Sequence, residues 1–424
     1  MTRAIIVTQN FPPDSLGNAA RIYDNAKHLA ADDEWEVTVL APPPTFPFGS
    51  FDRSWERSRT DERDGMTVHR LWAWQPATED PGLVSRLLYY VLFPLHALLW
   101  LVLNYRSFDV IFLSSPPVFV GIAGLPFALL GRKPVVVDVR DLWIDSAVEL
   151  DFIEEGGLFE RLSRAYERVL HAAADRITVT TALLGSRLAA TYDIANEKIH
   201  HVPNGVDVDR YTPAETETET GGTKTIVYTG NVGHAQDLES CIRAIGRLDR
   251  SDVVFRIVGN GDRMPALQRL VAAEGLEDVV EFEGLVPRAA VPGFIEDAEI
   301  GLAPIKSDEA LEYAVPTKTF EYLACEVPVV ATGAGEIESV IESSDGGVVV
   351  DNDPDAIAAA LERFLDDPQR RETLGEKGRR HVENRYDRAA TARRFESILE
   401  DVRADNSATP SSRRDRQRPR RSSE

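Results

Sequence analysis

The stretch Val202-Pro-Asn-Gly-Val-Asp207, with Arg210-Tyr-Thr-Pro213 close behind it, falls near the midpoint of the 424-residue chain. An apolar, strand-like run ends there in an Asn-Gly turn. An acidic segment containing glycine follows over 214–222, and a new strand begins at Thr225. Asn-Gly alone marks a turn between any two elements. Its weight here comes from position, because the sequence on each side alternates short apolar runs with helical stretches. Before the turn, 3–8 and 36–40 bracket a helix expected over 18–31, and further strands are expected at 67–71, 109–113, 135–138, 176–180 and 199–202. After it, strands are expected at 226–229, 254–258, 279–282, 299–303, 327–331 and 347–350, with a helix over 354–365 and two further helices over 371–402. Short apolar runs separated by helices make parallel sheets covered on both faces. The fold class is therefore α/β, with two Rossmann-like doubly wound domains.

The apolar fraction of 43% and the length suit a folded protein with two cores. A formal charge of −22 excludes nucleic acid as a partner, since phosphate binding needs a basic face. Lysine occurs seven times among 47 basic residues. With the surplus of carboxylates, this reads as a halophilic surface, on which concentrated salt screens self-repulsion. Cys241 and Cys325 are too few for a disulfide framework or zinc site and are expected to be buried. Asp351-Asn-Asp353 has metal-motif spacing, but it stands between a strand and the helix at Pro354 and reads as a cap. No metal is expected. The chain begins directly in a strand, so no secretory leader is expected and the location is cytoplasmic. Residues 404–424 are rich in Ser, Arg and Pro, and a disordered basic tail is expected there, either solvated or tethered to anionic lipid.

Several strand ends carry candidate chemistry. In Phe11-Pro-Pro-Asp-Ser-Leu-Gly-Asn-Ala-Ala20, Gly17 lets a backbone approach a ligand, and the helix after it offers its N-terminus to an anion. In Val136-Val-Asp-Val-Arg-Asp-Leu-Trp-Ile-Asp145, a strand end presents Arg140, Asp141 and Trp143, where open α/β sheets bind ligands. The alternative is a structural Arg-Asp pair closing the strand. Three glycine loops, at Gly230-Asn231, Gly259-Asn-Gly261 and Phe282-Glu-Gly-Leu-Val286-Pro-Arg288, end successive strands of the second half. Lys318 and Glu321 share a helix in Ala314-Val-Pro-Thr-Lys-Thr-Phe-Glu-Tyr-Leu-Ala-Cys-Glu-Val-Pro-Val-Val330, as a site or as an i,i+3 ion pair.

With these motifs the chain resembles the GT-B glycosyltransferases, in particular retaining family 4. The Arg-Asp-Leu-Trp run is similar to its surface-polysaccharide subgroup. The resemblance covers roughly residues 1 to 400. It implies two domains facing a central cleft: an acceptor-binding domain over 1–205, a linker over 206–224 and a nucleotide-sugar domain over 225–388. A helix over 389–403 would cross back to the first domain, and the turn at Asn204-Gly205 would act as a hinge. Arg140, Asp141 and Lys318 would be catalytic, with Asn18 and Trp143 on the acceptor. Gly17, Gly230, Asn231, Gly259, Gly261, Val286, Arg288, Lys318 and Glu321 would hold the donor. Glu321 matches the second glutamate of the Glu-x7-Glu motif and would take the ribose hydroxyls. Tyr313 stands where the first belongs, with Asp308, Glu309 and Glu312 nearby. Two diphosphate cations of the family are replaced by Asn231 and residues near Gln236; Lys318, with Arg288 and Lys306 as fallbacks, could compensate.

The implied reaction moves a hexose or N-acetylated amino sugar, from a UDP-sugar in preference to a GDP-sugar, to a lipid-linked or growing glycan, without metal or other cofactor. A sugar-nucleotide epimerase and a non-catalytic partner in glycan assembly are the rival readings. Residues 83–103 hold 17 apolar residues in 21. A membrane span there would separate strands of one sheet, so the segment is either a core helix or an interfacial helix with Tyr89, Tyr90 and Trp100 near the headgroups. The resemblance favours the interfacial reading, with peripheral contact at the inner face of the cell membrane.

Overall fold

The structure, a computed structural model, describes residues 1–14, 17–78, 81–149, 153–214 and 222–407, with the side chains of a few further residues, Gly17 and Asn18 among them, left out. Most of the acidic segment at 214–222 and the tail from 408 on lie outside the described residues. The chain forms two compact units. Unit 1 holds residues 1–180, 184–202 and the described residues from Ala392 on; unit 2 holds 181–183 and 203–391.

Unit 1 runs β1 (Thr2–Thr8), α1 (Gly17–Ala30), β2 (Trp35–Ala41), β3 (Ser58–Arg63), β4 (Met66–Leu71), α2 (Leu83–Leu103), β5 (Val110–Ser115) and α3 (Gly121–Leu130). It continues through β6 (Val135–Val139), α4 (Trp143–Glu149), α5 (Leu158–Ala173), β7 (Arg176–Val179), α6 (Ala182–Tyr192) and β8 (Ile199–His201). Its sheet has the order β3-β4-β2-β1-β5-β6-β7-β8. All pairs are parallel except β3 with β4, which corrects the expectation of a wholly parallel sheet. β3 reads Ser-Arg-Thr-Asp-Glu-Arg and carries no apolar residue, so periodicity could not find it. The available signal was Asp64-Gly65, both at positive φ, which closes the hairpin as a tight turn.

The sheet switches direction at β1, and right-handed crossovers then put helices on both faces. Adjacent residues of β5 show the two sides. Phe112 meets Phe395 of the C-terminal helix with ring centroids 4.8 Å apart. Leu113 points the other way, against Gly124 of α3. One face is thus covered by α1 and the C-terminal helix, whose Ile22, Ala26, Phe395 and Leu399 pack on β1 and β2. The other carries α2 and α3, with α5 alongside.

Helix α2 presents two faces. Tyr89, Phe93, Ala97 and Leu101, spaced by four, are buried, whereas Val84, Leu88, Leu95, Leu99, Val102 and Leu103 are exposed. This corrects the interfacial placement of Tyr89, whereas Tyr90 and Trp100 are half-buried. Tyr89 is internal and exchanges hydrogen bonds with Gln9, Tyr90 rests against Trp143, and Trp100 lies against His69.

Unit 2 runs β9 (Lys224–Thr229), α7 (Leu238–Ile245), β10 (Val253–Val258), α8 (Met264–Glu274), β11 (Val280–Gly284), α9 (Val291–Glu296) and β12 (Ile300–Ala303). It ends with α10 (Thr317–Ala324), β13 (Val329–Thr332), α11 (Glu336–Ser344), β14 (Gly347–Val350), α12 (Pro354–Asp366) and α13 (Pro368–Arg385), before α14 (Arg388–Ser407) returns the chain to unit 1. The six-stranded sheet is parallel throughout, in the order β11-β10-β9-β12-β13-β14. α14 runs through Ser407, so residues 404–407, expected in the tail, are helical. The Asn204-Gly205 turn is anchored within unit 2, where Val206 N–H donates to Tyr386 O and Arg388 N–H donates to Val206 O. Asp353 caps α12 through the N–H groups of Asp355 and Ala356, and Cys241 and Cys325 are buried thiols.

Candidate active site

In unit 2 the three glycine loops touch. Gly230 N–H donates to Val258 O at 2.8 Å, Val232 N–H to Asn260 O at 3.0 Å, and Gly259 N–H to Gly284 O at 2.8 Å. The carboxyl ends of β9, β10 and β11 therefore form one continuous backbone rim. Gly259 is fixed by two constraints: its φ is +142°, and a Cβ there would lie 1.8 Å from Gly230 O. At Gly261 a Cβ would come within 2.4 Å of Val232 O. Gly259→Ala is expected to force the rim apart and to cost about 3 kcal/mol or more, from overpacking added to backbone strain. Chemical denaturation would show this as a lowered midpoint.

Helix α10 brings the side chains to this rim. Tyr322 is buried, and its hydroxyl accepts from Thr229 N–H at 2.8 Å, which pins α10 to the end of β9. One turn earlier, buried Lys318 lays its Nζ 3.8 Å from the centre of the Tyr228 ring, against Gly230. Among the described residues no acid lies close enough to offset its desolvation. Burial pushes its ammonium down to about 7, with Glu321 opposing the shift. The i,i+3 pairing is thus not what holds Lys318, whose nearest described partner is an aromatic face.

Glu321 is half-buried and accepts from the hydroxyl of buried Tyr211. Burial raises its pKa, and the Tyr211 bond, Arg288 and Lys318 pull it back. Val286 packs on the core beneath the third loop, and Arg288 O is held by the Arg210 guanidinium. Lys306 N–H donates to Ala235 O at 3.0 Å, so a lysine stands beside the loop at Gln236, where a cation was missing. Gln236 itself accepts from Gly233 N–H, and Asn231 is exposed at the rim. Of the acids near Tyr313, Asp308 is used as a cap on Ala310 N–H. Tyr313 is buried.

In unit 1, Arg140 and Asp141 separate in role. Arg140 donates to Ser114 Oγ at 2.5 Å and to Pro116 O at 3.1 Å, and pairs with Asp138 Oδ2 at 3.4 Å. That is the structural pair of the alternative reading, made with Asp138 rather than Asp141. Fully buried Asp138 also accepts from Arg21 at 3.2 Å and Thr178 at 2.7 Å. Asp141 differs: its Oδ1 is covered and has no hydrogen-bond partner among the described residues. Burial pushes its carboxyl up to about 6, against the pull of Arg140. Such a group is poised to receive a hydroxyl. Trp143 opens α4 edge-on to Phe119 and Tyr90, so the inner face of α2 forms one wall here.

Asp14 and Arg70 also bear on this region and were not singled out by sequence. Asp14 accepts from the N–H groups of Phe11, Thr45 and Phe46, and Arg70 donates to Phe11 O and Pro42 O. Together they brace the loop after β1. A cleft of about 430 Å³, lined by Pro12, Pro43, Arg63 and Arg70, opens beside it. Gly17 and Asn18 begin α1, but their side chains lie outside the described residues.

Two α/β units with largely parallel sheets, one of them setting Lys318 and Glu321 of α10 beside joined glycine loops, have the architecture of the GT-B glycosyltransferases. A profile described as Glycosyltransferase Family 4 matches residues 17–210, and one described as Glycosyl transferases group 1 matches 223–367. The chain belongs to the family 4 glycosyltransferases.

Its relatives include WcaI of Escherichia coli, named as a colanic acid biosynthesis glycosyl transferase. It is 24% identical over 83% of this chain and 88% of that protein. A GDP-mannose-dependent phosphatidylinositol monomannoside mannosyltransferase of Mycolicibacterium smegmatis is 28% identical over 61% of this chain and 69% of its own. Among solved structures, sucrose-phosphate synthase of Thermosynechococcus elongatus superposes with a TM-score of 0.75 at 16% identity, over 96% of this chain and all of that one. Anabaena HepE, in complex with UDP and glucose, reaches 0.68 at 17% identity, over 94% of this chain and all of that one.

Proposed function

We propose that this glycosyltransferase moves a hexose or N-acetylated amino sugar from a nucleoside diphosphate, UDP in preference to GDP, to a hydroxyl of a lipid-linked or growing surface glycan, with retention at the anomeric carbon. The observation that carries this reading is Lys318 and Glu321 on α10, set against the joined glycine loops of unit 2. Backbone N–H groups and Lys318 suit a diphosphate, with Arg288 and Lys306 close by, while Glu321 suits a ribose diol. With cations to meet the charge on the leaving diphosphate, no metal is required. In a retaining transfer on one face, the leaving phosphate receives the acceptor proton. Asp141 and Trp143 of unit 1 then orient the acceptor sugar, and Arg140 positions Asp141 through the β6 strand end.

The colanic acid relative and the phosphatidylinositol mannoside relative support a surface glycan or lipid-linked acceptor. UDP in HepE supports the base preference, against the GDP-mannose of the mycobacterial relative. A lipid-linked acceptor also accounts for the apolar outer side of α2, and we place the enzyme at the inner face of the cytoplasmic membrane through residues 83–103. The excess of carboxylates fits work in concentrated salt. The test is transfer from a panel of labelled sugar nucleotides, in EDTA, to membrane lipid extracts. NMR of the product should show the anomeric configuration of the donor; the inverted anomer would refute retention.

A further inference from the structure

Large exposed apolar side chains are not scattered over this protein. Twelve of the fifteen found among the described residues lie on α2, α3 and α5 of unit 1. Beyond the six on α2, they are Leu129 and Leu130 on α3, and Leu158, Phe159, Leu162 and Val169 on α5. Among the described residues of unit 2, Leu285 alone is such a side chain. The three helices form one layer: α3 packs against α2 on one side and α5 on the other, with Leu170 and Tyr166 of α5 against Gly121. Clustering on neighbouring helices separates this surface from the single exposed apolar residues of an ordinary face.

The charges on the same layer are one-sided. On α5 the stripe Leu158, Leu162, Ala165, Val169 is flanked by exposed Arg161 and Arg168. The acids of that helix are turned in: Glu160 accepts from Arg164 and Gly156 N–H, and Glu167 from the Tyr192 hydroxyl. Arg106 and Arg132 are exposed where α2 and α3 end together, as the stacked Tyr105 and Phe127 rings place them. Glu154 and Glu155, exposed ahead of α5, lie before the stripe begins. In a chain of net charge −22, a helix face carrying arginine and no acid is selective.

We infer that the outer face of the α2–α3–α5 layer docks unit 1 on an anionic lipid surface, with α5 and its arginines as a contact distinct from α2. The inference rests on the membrane reading of residues 83–103 and adds to it a second helix and a lipid charge. Apolar side chains enter the acyl boundary, while Arg161 and Arg168 meet headgroup phosphates.

The test is flotation of the full chain with phosphatidylcholine vesicles, with and without phosphatidylglycerol, at the lowest salt that leaves its circular dichroism unchanged. The wild type should bind the anionic vesicles preferentially. Arg161→Gln with Arg168→Gln should weaken that binding by about thirtyfold, at roughly fivefold per lost surface charge. Leu158→Ser with Leu162→Ser should abolish it, with UDP binding unchanged as a control of folding. Binding lost in Leu95→Ser with Leu99→Ser but intact in both α5 variants would overturn this inference and leave the α2 reading standing. Absence of binding by the wild type would overturn both. A lipid-free dimer that the α5 serine variant dissociates would make the face a protein interface and also overturn it.

Discussion

Glu321→Ala is expected to weaken UDP binding by about 100-fold while leaving the binding of 2′,3′-dideoxy-UDP unchanged. A hydrogen bond to a charged group contributes about 1.5–3 kcal/mol, and a carboxylate can accept two from a ribose diol. A combined loss near 3 kcal/mol corresponds to about two decades of affinity. The carboxylate is half-buried, and Tyr211, Arg288 and Lys318 favour its charged form. Glu321→Gln keeps an acceptor but loses the charge, and its effect should be about tenfold. The dideoxy nucleotide separates contact from scaffold. If alanine weakened both nucleotides equally, Glu321 would be supporting the fold of α10 rather than reading the ribose.

The second large effect is a pH dependence set by Lys318. In the free protein its pKa is pushed down to about 7, from an ordinary 10.5, because its ammonium is buried over Tyr228. At pH 8 the lysine is mostly neutral. A bound diphosphate favours the ammonium, so binding above pH 7 must draw a proton from solvent. Affinity should be flat below about pH 7 and fall by up to tenfold per unit above it. Calorimetry at pH 8 in two buffers of different ionisation enthalpy should report uptake approaching one proton per nucleotide. Lys318→Met should remove the slope and weaken binding at pH 6.5 by roughly 30-fold, the worth of one charge-assisted bond.

Folding stability carries the opposite sign. Between pH 7 and 10.5 the unfolded chain binds more protons at this lysine than the folded one, so the contribution of Lys318 to stability rises with pH. A slope in nucleotide affinity that persisted in Lys318→Met would assign the proton to another group.

The joined glycine loops of unit 2 and the helix beside them were legible because their parts are local. Strand, glycine and helix follow one another within a few residues, and Lys318 and Glu321 sit one turn apart, so their shared place could be read from spacing. What could not be read depends on partners far apart in sequence. Asp138 gathers Arg21 from α1, Thr178 from β7 and Arg140 from the end of its own strand, and nothing in Val-Val-Asp-Val marks its aspartate as the one that is paired. Arg140 thereby became a positioning group and Asp141 the unpartnered one. Tyr211 reaches Glu321 across 110 positions, which no periodicity records. Helix α2 is apolar all round, so its sequence is silent on which side faces the sheet. Only packing sorts Phe93 inward and Leu95 outward, and it turns Tyr89 inward, away from an interfacial placement. The charged β3 hairpin had its signal in Asp64-Gly65, a turn with no apolar run beside it on one side.

The measurement closest to the central claim is calorimetric titration of the purified chain, in molar salt with EDTA, against UDP, GDP, TDP and CMP, repeated with Glu321→Ala. The account predicts binding of a nucleoside diphosphate without metal, UDP strongest, lost or greatly weakened in the alanine variant. Binding that required magnesium, or that survived in Glu321→Ala at full strength, would contradict it.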